Sequence, residues 1–95
     1  GEEVIEEEKI NKILEINKGF RSNLKIQLEQ AIIINQERLN VKTLEGWEAY
    51  FDLKGDINWQ LTELKLLIEE KIPPDKRGDL EYIDLRFTKI YYKYR

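Results

Sequence analysis

The chain predicts an α+β fold in the order α-β-β-β-α-β-β, an antiparallel sheet with both helices packed on one face. Three observations carry that expectation. Apolar residues recur at helical spacing in two separate segments, around Ile13 and around Leu64. Strict alternation of apolar and polar residues fills the stretches between and after them. Glycine and proline fall at the segment ends, at Gly19, Gly46, Gly55, Pro73 and Pro74.

The first twenty residues read as a helix. Ile10, Ile13 and Leu14 form an i, i+3, i+4 stripe, and Glu6, Glu7 and Glu8 sit in the early turns, where acids suit the helix dipole. Gly19 stands where a C-cap glycine would end it. From Asn23 the period becomes two: Leu24, Ile26 and Leu28 alternate with Lys25, Gln27 and Glu29, and Ala31 to Ile34 continues as strand. Asn35, Gln36 and Glu37 break the pattern. Leu39, Val41 and Thr43 make a second strand, Glu45-Gly46 a turn, and Trp47, Ala49, Phe51 and Leu53 a third strand. Gly55 precedes a helix that Asp56 or Asn58 can cap. That helix carries Leu61, Leu64, Leu67 and Ile68 on one face and is stopped by Pro73 and Pro74. Residues 75–79 read as an exposed loop. In the last stretch, Ile83, Leu85 and Phe87 alternate with Asp84 and Arg86, followed by a tyrosine- and lysine-rich strand from Ile90 to Arg95. The core face is expected to hold Ile26, Leu28, Val41, Trp47, Phe51, Ile83 and Leu85.

Composition narrows the chemistry. Ninety-five residues make one domain. With 37% charged residues and net charge −3 the chain is a folded, water-facing type, with no global attraction for nucleic acid or anionic lipid. It has neither cysteine nor histidine. Thiol chemistry and disulfides are excluded, and the commonest metal ligand and general base are missing. No apolar run approaches the roughly 20 residues that span a bilayer. The start, Gly1-Glu2 without an initiator methionine, reads as that of a trimmed domain, with any targeting segment or membrane anchor expected upstream.

The remaining candidates each have an ordinary reading beside the functional one. The acidic cluster Glu2, Glu3, Glu6, Glu7, Glu8 could hold a cation, but suits a solvated helix start. Trp59 could be a ligand platform, but suits a cover for the core near Trp47 or Phe51. Asp84 with Arg86 could be catalytic, but suits a structural ion pair on the charged side of a strand. Ser22, the one serine, lacks a nucleophile-elbow context. No enzyme, cofactor or metal site is therefore expected. The bases and rings Arg86, Lys89, Tyr91, Tyr92, Lys93, Tyr94 and Arg95 could bind single-stranded nucleic acid. Alternatively, as a terminal and hence potential edge strand, they could pair with another protein.

These residues resemble the carboxy-terminal extracytoplasmic domain of the FtsQ/DivIB bacterial cell-division family. The likeness runs through a helix leading to Gly19, two strands, a Glu45-Gly46 hairpin and a third strand. Gly55 then precedes the leucine-rich helix, and the I-D-L-R-F run of Ile83 to Phe87 leads into a final strand. It covers nearly the whole chain; I-D-L-R is its most specific part. Where the family commonly has Gly-Asn after the arginine-containing strand, this chain has Thr88-Lys89.

The resemblance implies a non-enzymatic divisome scaffold outside the cytoplasmic membrane, with the family's membrane helix and POTRA domain lying outside this sequence. It implies capture of small bitopic proteins of the FtsB/DivIC and FtsL type on the terminal strand edge, Ile90, Tyr91, Tyr92, Lys93, Tyr94 and Arg95. Asp84, Arg86, Gly46 and Gly55 would be structural.

Overall fold

The computed structural model describes the backbone of residues 2–95 and the side chains of residues 7–95. The chain runs α1 (Glu2–Gly19), a π turn (Phe20–Leu24), β1 (Leu28–Ile33), β2 (Arg38–Thr43), β3 (Glu48–Asp52), α2 (Ile57–Lys71), a 3-10 turn (Pro74–Asp79), β4 (Leu80–Asp84) and β5 (Tyr91–Tyr94). The α+β class and the order α-β-β-β-α-β-β are as expected. The five strands lie in chain order, β1-β2-β3-β4-β5, so β1 and β5 are the edges.

One pairing departs from the expected all-antiparallel sheet. β3 pairs with β4 in parallel, Ala49 opposite Ile83 and Tyr50 opposite Asp84, and the other three pairings are antiparallel. The cause is the connection. Between β3 and β4 the chain spends a whole helix returning to the start of the sheet, and such a crossover delivers the next strand parallel to the last. Period-two patterning records which face a residue takes but not the direction of its strand.

Both helices pack on one face of the sheet and share a single core. Ile16 and Phe20 from the α1 end, and Ile57, Leu61, Leu64 and Ile68 from α2, meet Leu39, Val41, Ala49, Phe51 and Ile83 of the strands. Phe20 sits between Trp47 and Phe51, with ring centroids 6.3 and 6.1 Å away. Of the expected core residues, Ile26, Val41, Trp47, Phe51, Ile83 and Leu85 are buried and Leu28 is half-buried. Gln60 clamps α2 to β3: its carbonyl accepts from the Asp52 N–H and its amide donates to the Asp52 carbonyl, each at 2.9 Å. The Asp56 carboxylate caps the helix by accepting from the Trp59 N–H.

Several local expectations are corrected. The core-facing stripe is half-buried Ile13 and buried Ile16 of α1, continued by Phe20 of the π turn, while Ile10 and Leu14 are exposed. Gly19 is the last residue of α1, as expected, but it is not a left-handed cap, and the chain continues helically into the π turn. Its φ of −61° is helical, and the left-handed residue that ends the run is Lys25, at φ 58°. Gly19 is needed for closeness instead: a Cβ there would stand 2.7 Å from Leu61 Cδ1. β1 begins at Leu28, because Phe20–Leu24 is still helical; Ile26 is buried from an irregular segment. Trp59 is exposed, two positions off the buried stripe of α2, and does not cover the core. The stretch 75–79 forms a 3-10 turn that Pro74 starts. β4 stops at Asp84, so Phe87 lies outside the sheet and is exposed.

Candidate partner-binding edge

The expected partner strand is an open sheet edge. β5 pairs on one side with β4, Asp84 opposite Tyr91, Ile83 opposite Tyr92 and Tyr82 opposite Lys93. The Arg95 N–H donates inward to the Asp79 carbonyl at 2.8 Å. Alternation along β5 then points Lys93 and Tyr91 inward as well, and turns the backbone groups of Tyr92 and Tyr94 outward.

The six named residues divide. Ile90 and Tyr94 are half-buried and pack against the core beside β4, so they anchor the strand. Tyr91 is 53% exposed, the most open ring on the strand, and meets Phe87 edge-on at 6.2 Å. Tyr92, on the helix side of the sheet, meets Tyr94 edge-on at 6.0 Å. Lys93 lies 3.7 Å from Glu81, and the Arg95 guanidinium donates to the Gly46 carbonyl at 2.7 Å. The outward contact surface is therefore Tyr91, Tyr92 and Lys93, with Phe87 added from the loop.

Asp84 and Arg86 end β4 instead of lying along it. The Asp84 carboxylate accepts the Arg86 N–H at 3.1 Å and a fork from its guanidinium at 2.9 and 2.7 Å. Folding the chain back onto its own carboxylate takes residues 85–90 out of strand geometry. The pair is less exposed than expected, because Asp84 is buried on the polar sheet face. Burial alone would push the Asp84 carboxyl up, but the bonds from Arg86 outweigh it and hold the carboxyl below its ordinary value. The same bonds push the Arg86 guanidinium up.

This polar face holds a cluster that the sequence left unmarked. Arg38 lies 4.5 Å and Arg86 5.7 Å from the Tyr50 ring centroid, and Tyr50 stacks on Tyr82 at 5.2 Å. Burial raises the Tyr50 hydroxyl above its ordinary value. The available signal was the position of Tyr50 between Ala49 and Phe51, which fixes it on the face away from the core.

Gly46 and Gly55 are where their structural roles require. Gly46 has φ +105° in the β2–β3 turn, a conformation side chains rarely adopt. A Cβ on Gly55 would lie 3.0 Å from Gln60 Nε2, inside the clamp just described. Ser22 is exposed on the π turn. Glu7 and Glu8 are exposed, whereas the side chains of Glu2, Glu3 and Glu6 lie outside the described residues. Among the described residues no group of acids is placed to hold a metal, and no helix is long and apolar enough to cross a membrane. No protein-family model matches the chain, and neither does any curated protein.

Proposed function

We propose that this domain is a non-enzymatic scaffold of the bacterial divisome, acting on the extracytoplasmic side of the cell membrane. There it captures an extended segment of a small membrane-anchored division protein of the FtsB/DivIC or FtsL type along β5. The observation that carries this reading is the open edge itself. Tyr92 and Tyr94 turn unpaired backbone groups outward, next to exposed Tyr91 and Phe87. Main-chain pairing supplies affinity and the rings supply area for a strand laid alongside. The I-D-L-R-F run that carries the likeness to FtsQ/DivIB ends at Phe87, on the rim of this edge.

Single-stranded nucleic acid fits the same edge less well. Arg86 is paired with Asp84 and Lys93 lies beside Glu81, so of the basic cluster Lys89 and Arg95 are left to track phosphates, and the Arg95 guanidinium is turned back onto the Gly46 carbonyl. The test is titration with soluble FtsB/DivIC-like and FtsL-like ectodomains from the same organism over a range of salt. Saturable binding that weakens mildly with salt, and is lost on Tyr92→Pro, supports the reading. Absence of binding to both ectodomains, or steeply salt-dependent binding to oligonucleotides in their place, sinks it.

A further inference from the structure

The sheet has a second open edge, and it differs in kind from β5. β1 carries Ala31, Ile32 and Ile33, followed directly by Ile34, and the three isoleucines are 37–51% exposed. The Ile34 N–H donates inward to the Arg38 carbonyl at 3.0 Å, so the N–H and C=O groups of Ala31 and Ile33 point away from the sheet. Edge strands normally carry charges that discourage pairing, as Lys93 does on β5. The charge on β1 is Glu29, at its start, already 3.6 Å from Lys42.

The helix beside this edge is apolar on the same side. A groove between α1 and β1 has apolar walls from Ile13, Leu14, Leu28, Ala31 and Val41, with Asn17, Glu29 and Gln30 on its rim. Its continuation is lined by Asn17, Arg21, Lys25 and Leu28, so α1 and β1 run in opposite directions along it. Stepping back from Leu14 to Ile10 covers about 6 Å of helix. Stepping on from Ala31 to Ile33 covers about 6.6 Å of strand. Leu14 and Ala31 share the groove, and exposed Ile10 and Ile33 continue it by similar lengths, one turn back along α1 and two residues on along β1.

We propose that the occupant of this edge is a second copy of the same chain, paired antiparallel through β1 about a two-fold axis at Ile32. The strand is self-complementary in that register. Ala31 of each copy faces Ile33 of the other, and both have outward backbone groups, so four main-chain hydrogen bonds form. Ile32 meets Ile32 of the other copy in the close, non-hydrogen-bonded position between them. Glu29 does not meet its own counterpart, so no like charges oppose. The partner's hairpin tip is carried toward the end of the groove where Arg21 and Lys25 stand; these two make no ion pair among the described residues, and the exposed Glu37 carboxylate at that tip, 2.6 Å from Lys54 in its own chain, can be shared with them across the interface. The two sheets join into one of ten strands and leave both β5 edges open, an isologous arrangement. This inference is independent of what binds β5.

Sedimentation of the 95-residue chain over a concentration series tests it. The expected result is a concentration-dependent dimer. Ala31→Pro removes an outward N–H without touching the β1–β2 ladder, and should weaken the dimer by at least about tenfold. Ile32→Lys and Ile32→Glu each place like charges across the axis and should each be monomeric. An equimolar mixture of the two should recover the dimer. Tyr92→Pro on the other edge should leave the association unchanged. A chain that stays monomeric throughout overturns the proposal. So does a dimer that survives both charged substitutions, or that Tyr92→Pro abolishes.

Discussion

Arg95 reaches back 49 residues to donate to the Gly46 carbonyl at 2.7 Å. The residue just past the edge strand thus holds the β2–β3 turn, on the other side of β4. Arg77 holds the same turn through a fork to Glu45, at 2.7 and 2.6 Å, and the Trp47 indole donates to that carboxylate at 2.8 Å. Two arginines from distant segments converge on one four-residue connection, residues 44–47. The register of β5 and the geometry of the turn are therefore coupled.

Replacement of Gly46 by alanine should expose that coupling. At φ +105° a Cβ is strained whatever the space, and here it would also stand 2.8 Å from the Arg95 guanidinium nitrogen. A loss of roughly 1–3 kcal/mol in denaturant melts is expected. Arg95→Ala removes one exposed contact and should cost about 0–1 kcal/mol. In the double substitution the two losses should add to less than their sum, because the clash disappears with the guanidinium. Strict additivity would separate the turn from the strand.

Leu64→Ala tests the shared core. The side chain is fully buried between α2 and the sheet, and its removal should cost roughly 2–5 kcal/mol. A loss under about half a kcal/mol would mean that α2 does not pack as described.

How far these features were readable from the sequence follows from what local patterns encode. Alternation in β2 and β3 placed Val41 and Phe51 inward correctly, since burial on one face imposes period two directly. The stripe of α2 was legible for the same reason at period 3.6. In α1 the apolar residues are spread around the helix: Ile10, Ile13, Leu14 and Ile16 offer more than one possible face. The choice of Ile13, Ile16 and Phe20 is made by the π turn, which carries Phe20 between Trp47 and Phe51, a long-range contact that no local pattern records. The end of β4 was misread because Asp84 and Arg86 fit alternation equally well as strand residues. Their bidentate fork, together with the Arg86 N–H on the same carboxylate, favours a turn. On the candidate site, alternation along the last strand correctly put Tyr92 and Tyr94 on the side of Ile90. It could not tell that Arg95 would be spent on Gly46.

Acid should weaken the fold through Asp84 and Glu45. Bonds from Arg77 depress the Glu45 carboxyl, and those from Arg86, against burial, depress that of Asp84; their ordinary values are 4.5 and 3.8. A carboxyl depressed in the folded state binds fewer protons there than in the unfolded chain. Stability from it is complete above the ordinary value and is lost as pH falls through the lower folded value. Asp84→Asn should therefore lower stability at neutral pH and flatten its decline below about pH 4. An unchanged acid limb in chemical melts of the Asn variant would show that Asp84 does not carry this dependence.

The last prediction concerns β5. Deleting the strand is a poor test, because Ile90 and Tyr94 pack on the core and their loss would uncover Leu80 and Ile83. Single substitutions at the outward positions avoid this. Tyr91→Ala removes the most exposed ring of the strand and its edge-on contact with Phe87, and should cost about 2 kcal/mol or more of partner affinity, as aromatic anchors do. Lys93→Glu brings a carboxylate beside Glu81 and should act mainly on the association rate and its salt dependence, with less effect on the lifetime of the complex. Tyr92→Pro removes an N–H that points away from β4, so the ladder to Ile83 survives while a pairing strand loses its bond. Thermal melts of the proline variant should match the parent while titration with the FtsB/DivIC-like and FtsL-like ectodomains shows no binding. Full affinity in a folded Tyr92→Pro variant would mean that the partner docks elsewhere, and that the open edge of β5 is not its site.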